Sequence, residues 1–218
     1  MKPVDRLVRD HARPVLTEAG FRRKGNRFWL TAPNGDVACV DFQTQAGVTV
    51  MRPDGVHAMP DWAAFFVNIG VVPVPRWDWL CHQFPGLSKQ VPEASHGLWT
   101  SRAVAPPEVA DDVISDSWVV KGADQVAVCG EHLARVLRDD VVPLLVWCLD
   151  RAEFLALCRD PARPLDPPPS DAELILLVDD GPSPDLDAAL AVLGARDPHD
   201  YPVAAEYAAW LRARAAVV

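Results

Sequence analysis

An α+β fold, with a mostly antiparallel sheet flanked by an N-terminal helix and C-terminal helices and with a helical appendage at the C-terminus, is predicted by three stretches of this chain. Residues 27–44 hold two runs rich in aromatic and branched side chains, separated by Pro33, Asn34 and Gly35, the composition of a hairpin turn. Residues 62–72, WAAFFVNIGVV, make an apolar run of strand length with one polar residue, Asn68, in its middle. From Val126 through Leu133, Leu137 and Leu145 to Cys148, apolar residues recur as a helical stripe while Arg135 and Arg138 face outward, which marks the main core helix.

The elements follow in order. Val4, Leu7, Val8, Ala12 and Val15 recur at helical spacing, with Arg6, Arg9, Asp10 and Arg13 on the other face. Pro14 either kinks this helix or sits in the first turn of a second one. His11 lies near the apolar stripe without a second ligand at helical spacing and reads as a structural histidine. Gly20 ends the helix in a left-handed position and Phe21 turns the chain inward. Gly25 and Asn26 suit a tight turn or bulge before the hairpin. Residues 46–56 read as another strand with a turn at Pro53, Asp54 and Gly55, or as an insertion over the sheet.

Asn68 is flanked by Val67 and Ile69, so its amide points to the face opposite theirs, and a buried amide without partners costs ~1 to 3 kcal/mol. It either caps a bulge with Gly70 or lines a pocket beside the Gln43 amide. Residues 76–85, RWDWLCHQFP, place Trp77, Trp79 and Phe84 over a sheet edge or along a ligand groove. Residues 95–104 return to strand, where regular alternation puts His96 and Arg102 on one face and Trp99 on the other. That pair suits an anion or carboxylate, or an ion-pair network with Asp41 or Asp116.

Pro106, Pro107 and the acidic run after them form a loop, and residues 117–120, with Trp118, make a final edge strand. Asp124 is placed to cap the main core helix, which Pro143 kinks or divides, and residues 152–159 add a second helical piece. Residues 161–170, PARPLDPPPS, have the composition of a stiff linker. Beyond them lie three apolar, alanine-rich segments: the middle one is capped by Asp185 or Ser183 and ended by Gly194, and the last is started by Pro202. The chain thus divides into an α+β core over 1–160, a linker over 161–170, and a helical appendage over 171–218 that packs on the core.

The blocks GFRRKGNRFW, VDFQTQ, FFVNIGVV, SHGLWTSRAV and SDSWVV, in that order, resemble the bacterial domain of unknown function 4304 family over residues 4–160. The chain departs from that pattern at Val119, where a second aromatic would stand beside Trp118. The resemblance implies an α+β domain with a terminal helix, a mostly antiparallel sheet and following helices. It brings no established activity and no catalytic motif.

Composition narrows the function. Half of the 218 residues are apolar and 23% are charged, a globular balance with ample material for a core. The 21 prolines cluster at element edges and in the linker. A net charge of −9 argues against nucleic acid, although Arg22, Arg23, Lys24 and Arg27 make the amino-terminal part basic. Five cysteines without a Cys-x-x-Cys pair imply reduced thiols, and no leader or membrane-length apolar run is read, so the expected location is cytoplasmic, with no membrane partner. Cys81 adjoins His82, but sequence neighbours point apart and do not make a nucleophile and its base. Phosphate loops, dinucleotide fingerprints and hydrolase or metalloprotease motifs are missing, and the six histidines are scattered, so neither cofactor nor metal is expected.

Two functions remain. The first is a non-catalytic binding protein, monomer or homodimer, whose sheet face or edge, rich in Trp77, Trp79, Trp99 and Trp118, receives a protein partner, as an immunity protein neutralises a toxin, or a small molecule. Eight tryptophans against two tyrosines favour buried anchors or an interface. The second is a small-molecule enzyme in which His96 is acid or base, Arg102 holds an anion, and Gln43 and Asn68 donate hydrogen bonds. The enzyme requires those four residues to meet at one concavity. The interface requires an exposed apolar patch near Trp77 and Trp79.

Overall fold

The hairpin lies inside one antiparallel sheet, built from strands β1 (Arg22–Lys24), β2 (Arg27–Thr31) and β3 (Val37–Thr44). A separate two-stranded ribbon follows, β4 (Thr49–Arg52) with β5 (Gly55–Ala58), before the chain returns to the sheet as β6 (Ala63–Val72), β7 (Trp99–Arg102) and β8 (Trp118–Val120). The computed structural model describes residues 2–45, 49–52, 55–59, 62–111, 116–162, 165, 171–197, 199 and 201–218. The order across the sheet is β1, β2, β3, β6, β7, and β8 pairs with β6 on the same side as β7. β7 covers Asn68 to Val71 of β6 and β8 covers Ala63 to Phe65, so the two short strands share one long neighbour end to end. The expected α+β architecture is therefore present. The expected turn at Pro53 and Asp54, and most of the linker, fall outside the described residues.

Strand alternation sorts the sheet into two faces. Phe28, Val40, Phe42, Phe65, Val67, Ile69, Trp99 and Trp118 point to one side, where they form a continuous core with Leu7, Val8, Leu133, Leu137 and Leu145 of the helices. Phe65 stacks on Trp118 at 6.0 Å and Phe28 meets Phe42 edge-on at 5.9 Å.

The helices on this face are α1 (Pro3–Leu7), α2 (Arg13–Glu18), and the later run of α4 (Val126–Val136) and α5 (Val142–Cys148). Pro14 and Pro143 each stand in the first turn of a further helix, α2 and α5, as one of the two readings of each has it, and a π-turn joins each of these to the helix before it. Pro14 has no N–H to donate and would crowd the carbonyl four residues back, and the chain widens into a π-turn at Val8–Ala12, with Arg13 N–H donating to Val8 O. Pro143 is carried in the same way by a π-turn at Leu137–Val141, with Val142 N–H donating to Leu137 O. The first π-turn lies directly on α4. At Gly130 a Cβ would come within 2.3 Å of the His11 ring, so glycine there lets the two helices close and gives His11 its structural role.

Between β6 and β7 in sequence comes α3 (Val74–Gln83), which carries Trp77 and Trp79. Pro73 caps it and Pro75 stands in its first turn, so these prolines start a helix. Helical geometry sends Trp77 and Trp79 to different sides. Trp79 enters a second core with Ile175, Leu186, Leu190, Leu193, Tyr207 and Leu211, and Trp77 packs with Val37, Cys39 and Val72 on the sheet. The second core is closed by α7 (Ala172–Leu177), α8 (Pro184–Gly194) and α9 (Ala204–Ala215), while α6 (Arg151–Arg159) links it to the first. Ser183 caps α8 by accepting from Leu186 N–H at 3.2 Å. Asp124 does not cap α4: it lies within the preceding 3₁₀ turn, Ala123–Gln125, and the cap position is Gln125.

An ion-pair network ties the hairpin turn to these helices. In the turn, Asp36 N–H donates to Asn34 Oδ1 at 3.1 Å, and the Asp36 side chain, 1% exposed, accepts from Val74 N–H at 2.8 Å. Arg151 reaches both Asp36 oxygens at 2.7 Å and Asp179 at 2.7 Å, and Arg214 joins Asp179 at 2.5 Å to Asp78 at 2.7 Å. Burial opposes ionisation of Asp179, but the Arg214 and Arg151 hydrogen bonds outweigh it and hold the carboxyl below its usual range.

Candidate functional site

The face of the sheet turned away from the main core is divided in two. Toward one end Val37, Cys39 and Val72 are sealed by Ala94, Trp29 and Trp77. Toward the other, the register aligns Arg27, Asp41, Asn68 and Arg102 across four successive strands, with Gln43 and Phe66 as the next pair along. The seal is a 3₁₀ turn at Ala94–His96 lying on β6. Gly70 makes that possible, because a Cβ there would sit 2.7 Å from Ala94 O. Gly70 pairs in regular register with Cys39 and Thr100, so Asn68 does not cap a bulge.

Where the seal ends, a cleft of about 760 Å³ opens, lined by Asp41, Gln43, Asn68, Glu93, Thr100, Arg102 and Asp116, among others. Asn68 Nδ2 donates to Gln43 Oε1 at 3.0 Å, which leaves Asn68 Oδ1 to accept and Gln43 Nε2 to donate. Arg102 lays its guanidinium over the Phe66 ring, 3.8 Å from the centroid, and makes no ion pair among the described residues. The expected pairing of Arg102 with Asp41 or Asp116 is corrected accordingly: Asn68 stands between Arg102 and Asp41 in the register.

Asp41 is the most perturbed group in the cleft. Its Oδ2 accepts from Ala94 N–H at 2.6 Å, while its Oδ1 is buried and has no hydrogen-bond partner. Burial pushes the carboxyl up to about 6, helped by nearby Glu93 and opposed by the Ala94 N–H and Arg27. Glu93 is itself committed to Arg27 at 2.5 Å, and its Oε1 accepts from Ser95 Oγ at 3.2 Å.

His96 does not share a strand face with Arg102, because it stands in the 3₁₀ turn before β7 begins. Its Nδ1 accepts from Glu93 N–H at 3.2 Å and its ring lies 5.2 Å from that of Trp77, a capping arrangement that spends the imidazole on structure. Burial holds its pKa below the usual value, with Glu93 opposing.

The structure thus brings Gln43, Asn68 and Arg102 together and leaves His96 outside the cleft lining. Three of the four tryptophans are buried. Trp79, Trp99 and Trp118 are 3%, 4% and 0% exposed, and Trp118 Nε1 donates inward to Ala103 O at 2.9 Å. Trp77 is half-buried beneath the seal. The expected apolar patch therefore loses the Trp79 indole and part of Trp77, while Phe84, at the end of the same helix, is 61% exposed. Asp41 was the residue missed as a site member, although its spacing of two from Gln43 on an alternating strand placed both on one face.

His82 Nε2 lies 3.2 Å from Glu206 Oε1, and all five cysteines are free, with burial raising the Cys81 thiol and Asp78 adding to it. Among the described residues no group of three or more His, Cys, Asp or Glu side chains could hold a metal ion, and no helix is long and apolar enough to cross a membrane. Comparison with protein-family models, with curated proteins and with solved structures finds no match.

Proposed function

We propose that this chain is a non-catalytic binding protein that takes a small polar ligand in the open half of its outer sheet face. One observation carries the reading: Asn68 sits between Asp41 and Arg102 in a cleft of about 760 Å³ and bonds to Gln43 beside it, which leaves the amide pair a donor and an acceptor to spare. Concave sites with a few convergent polar groups are where small molecules bind. Arrival of a protein partner at an aromatic sheet face loses its residues, since three of the four tryptophans lie inside the two cores. The enzyme reading loses its acid–base residue at His96, whose Nδ1 is engaged by the Glu93 N–H.

Membership of the domain of unknown function 4304 family belongs to the same proposal. The blocks that resemble it fall on β1 to β3, β6, β7 and β8, the strands that build and flank the cleft. A cytoplasmic setting, with five free thiols, is its companion.

The test is a fragment screen followed by two-dimensional NMR of the labelled protein. Fragments are expected to shift the backbone amides of Gln43, Asn68, Ala94 and Arg102 together, and Asn68→Ala is expected to weaken them about five- to tenfold through loss of a hydrogen bond. If no fragment perturbs these four amides, the cleft is not a binding site.

A further inference from the structure

We infer that the ligand of this cleft is a zwitterion, its carboxylate held by Arg102 and its ammonium group by Asp41, with Asn68 between them; the inference rests on the small-ligand reading above.

Arg102 supplies the anion subsite. Its guanidinium plane is occupied on one side by Phe66, 3.8 Å away, it carries no ion pair among the described residues, and it lines the cleft. A guanidinium steadied on an aromatic face keeps its two parallel donors for a planar, two-oxygen acceptor, which is what a carboxylate offers.

Asp41 supplies the cation subsite. One of its oxygens is satisfied by the Ala94 N–H at 2.6 Å and the other is buried without a donor. Buried polar atoms are rarely left without a partner, and an ammonium carries three donors and the opposite charge. Glu93 does not compete for it, being already paired to Arg27 at 2.5 Å.

Spacing sets the length of the ligand. Arg102 and Asp41 are both in register with Asn68, one strand away on either side. Two strand spacings separate their backbones by roughly 10 Å; the Arg102 guanidinium lies over Phe66, two residues along β6 from Asn68, which lengthens the span to roughly 12 Å, and a contact of roughly 3 Å at each end leaves roughly 6 Å between the ligand's charges. An α-amino acid is too short for that span. An ω-amino acid of four to six carbons, or a dipeptide, fits it and places its middle over the Asn68–Gln43 amides.

The experiment compares 6-aminohexanoate, hexanoate and 1-aminohexane on the labelled full chain, by NMR titration of the Asn68 and Ala94 amides. The zwitterion is expected to bind about tenfold or more tightly than either single-charge probe. Arg102→Gln is expected to weaken it by about the same factor, Arg102→Lys to restore part of the loss, and Asp41→Asn to erase the preference over hexanoate. Thermal unfolding of each variant checks that the fold is kept. Hexanoate binding as tightly as the zwitterion, or the zwitterion failing to bind or binding unchanged in Arg102→Gln and Asp41→Asn, overturns the inference. If other fragments still shift these amides, the cleft reading stands alone. If none does, both fall together.

Discussion

At Asp41 a side chain that ordinarily loses its proton near pH 4 keeps it to about pH 6, because the Ala94 turn shields it from water and Glu93 lies close by. A carboxyl whose folded-state value exceeds its unfolded one favours the fold while protonated, since the native state then binds more protons. Its contribution is therefore greatest below about pH 4, falls as the pH rises to about 6, and is level above that. Asp41→Asn removes this titration and keeps the shape. The difference in unfolding free energy between parent and variant is expected to change between pH 4 and 6.5, with Asn gaining as the pH rises; urea titrations at four pH values measure it, and a constant difference would sink the assignment. Sequence reasoning reached the Gln43–Asn68 pair because strand alternation is a local property. It did not reach the environment of Asp41, which is made by a turn 53 residues further along the chain. The burial of Trp79 was out of reach for a related reason. Aromatic count states how much indole there is, whereas the second core that takes Trp79 is assembled by helices some hundred residues downstream.

Elements were more legible than their junctions. The hairpin, the long apolar strand and the core helix are each specified by periodicity within a dozen residues, and each forms as expected. The segment carrying Trp77 and Trp79 was harder, since prolines at both ends look like loop boundaries until one of them occupies the first turn of a helix. Gly70 shows what a junction demands. Nothing local distinguishes a strand glycine that marks a bulge from one that admits another backbone, and here it admits the 3₁₀ turn that seals half of the sheet. Gly70→Ala must push Ala94 O away from 2.7 Å, an overpacking expected to cost about 1–3 kcal/mol. The same displacement would uncover the Asp41 carboxyl, whose burial is the largest cause of its raised value, and return it toward its ordinary range, with loss of the Ala94 N–H bond opposing part of that return. Chemical unfolding, together with a carboxyl titration by NMR, measures both. A variant of parental stability with an unmoved Asp41 would show that the turn can shift freely.

Over the whole molecule, the second core is held against the outer sheet face by the α3 tryptophans and by the network centred on Asp36, Arg151, Asp179 and Arg214. Removing one member of a buried ion pair leaves the other charged and unpartnered, so Asp36→Ala is expected to cost about 3 kcal/mol, with Val74 N–H orphaned as well. Thermal and urea unfolding read this directly, and a loss below about 1 kcal/mol would mean that water replaces the carboxylate. The network also bears on the order of events in time. Its links join residues 115 and 136 positions apart in sequence, so they close only after the chain has brought distant segments together. Interactions formed on the native side of the folding barrier hold the molecule shut without hastening its assembly, and this network is expected to be of that kind. Arg151→Met should accordingly leave the refolding rate near the parental value and speed unfolding, which stopped-flow kinetics across a denaturant series resolves into separate arms. If refolding slows instead, the turn at Asp36 is engaged by Arg151 early, as a nucleus rather than a latch.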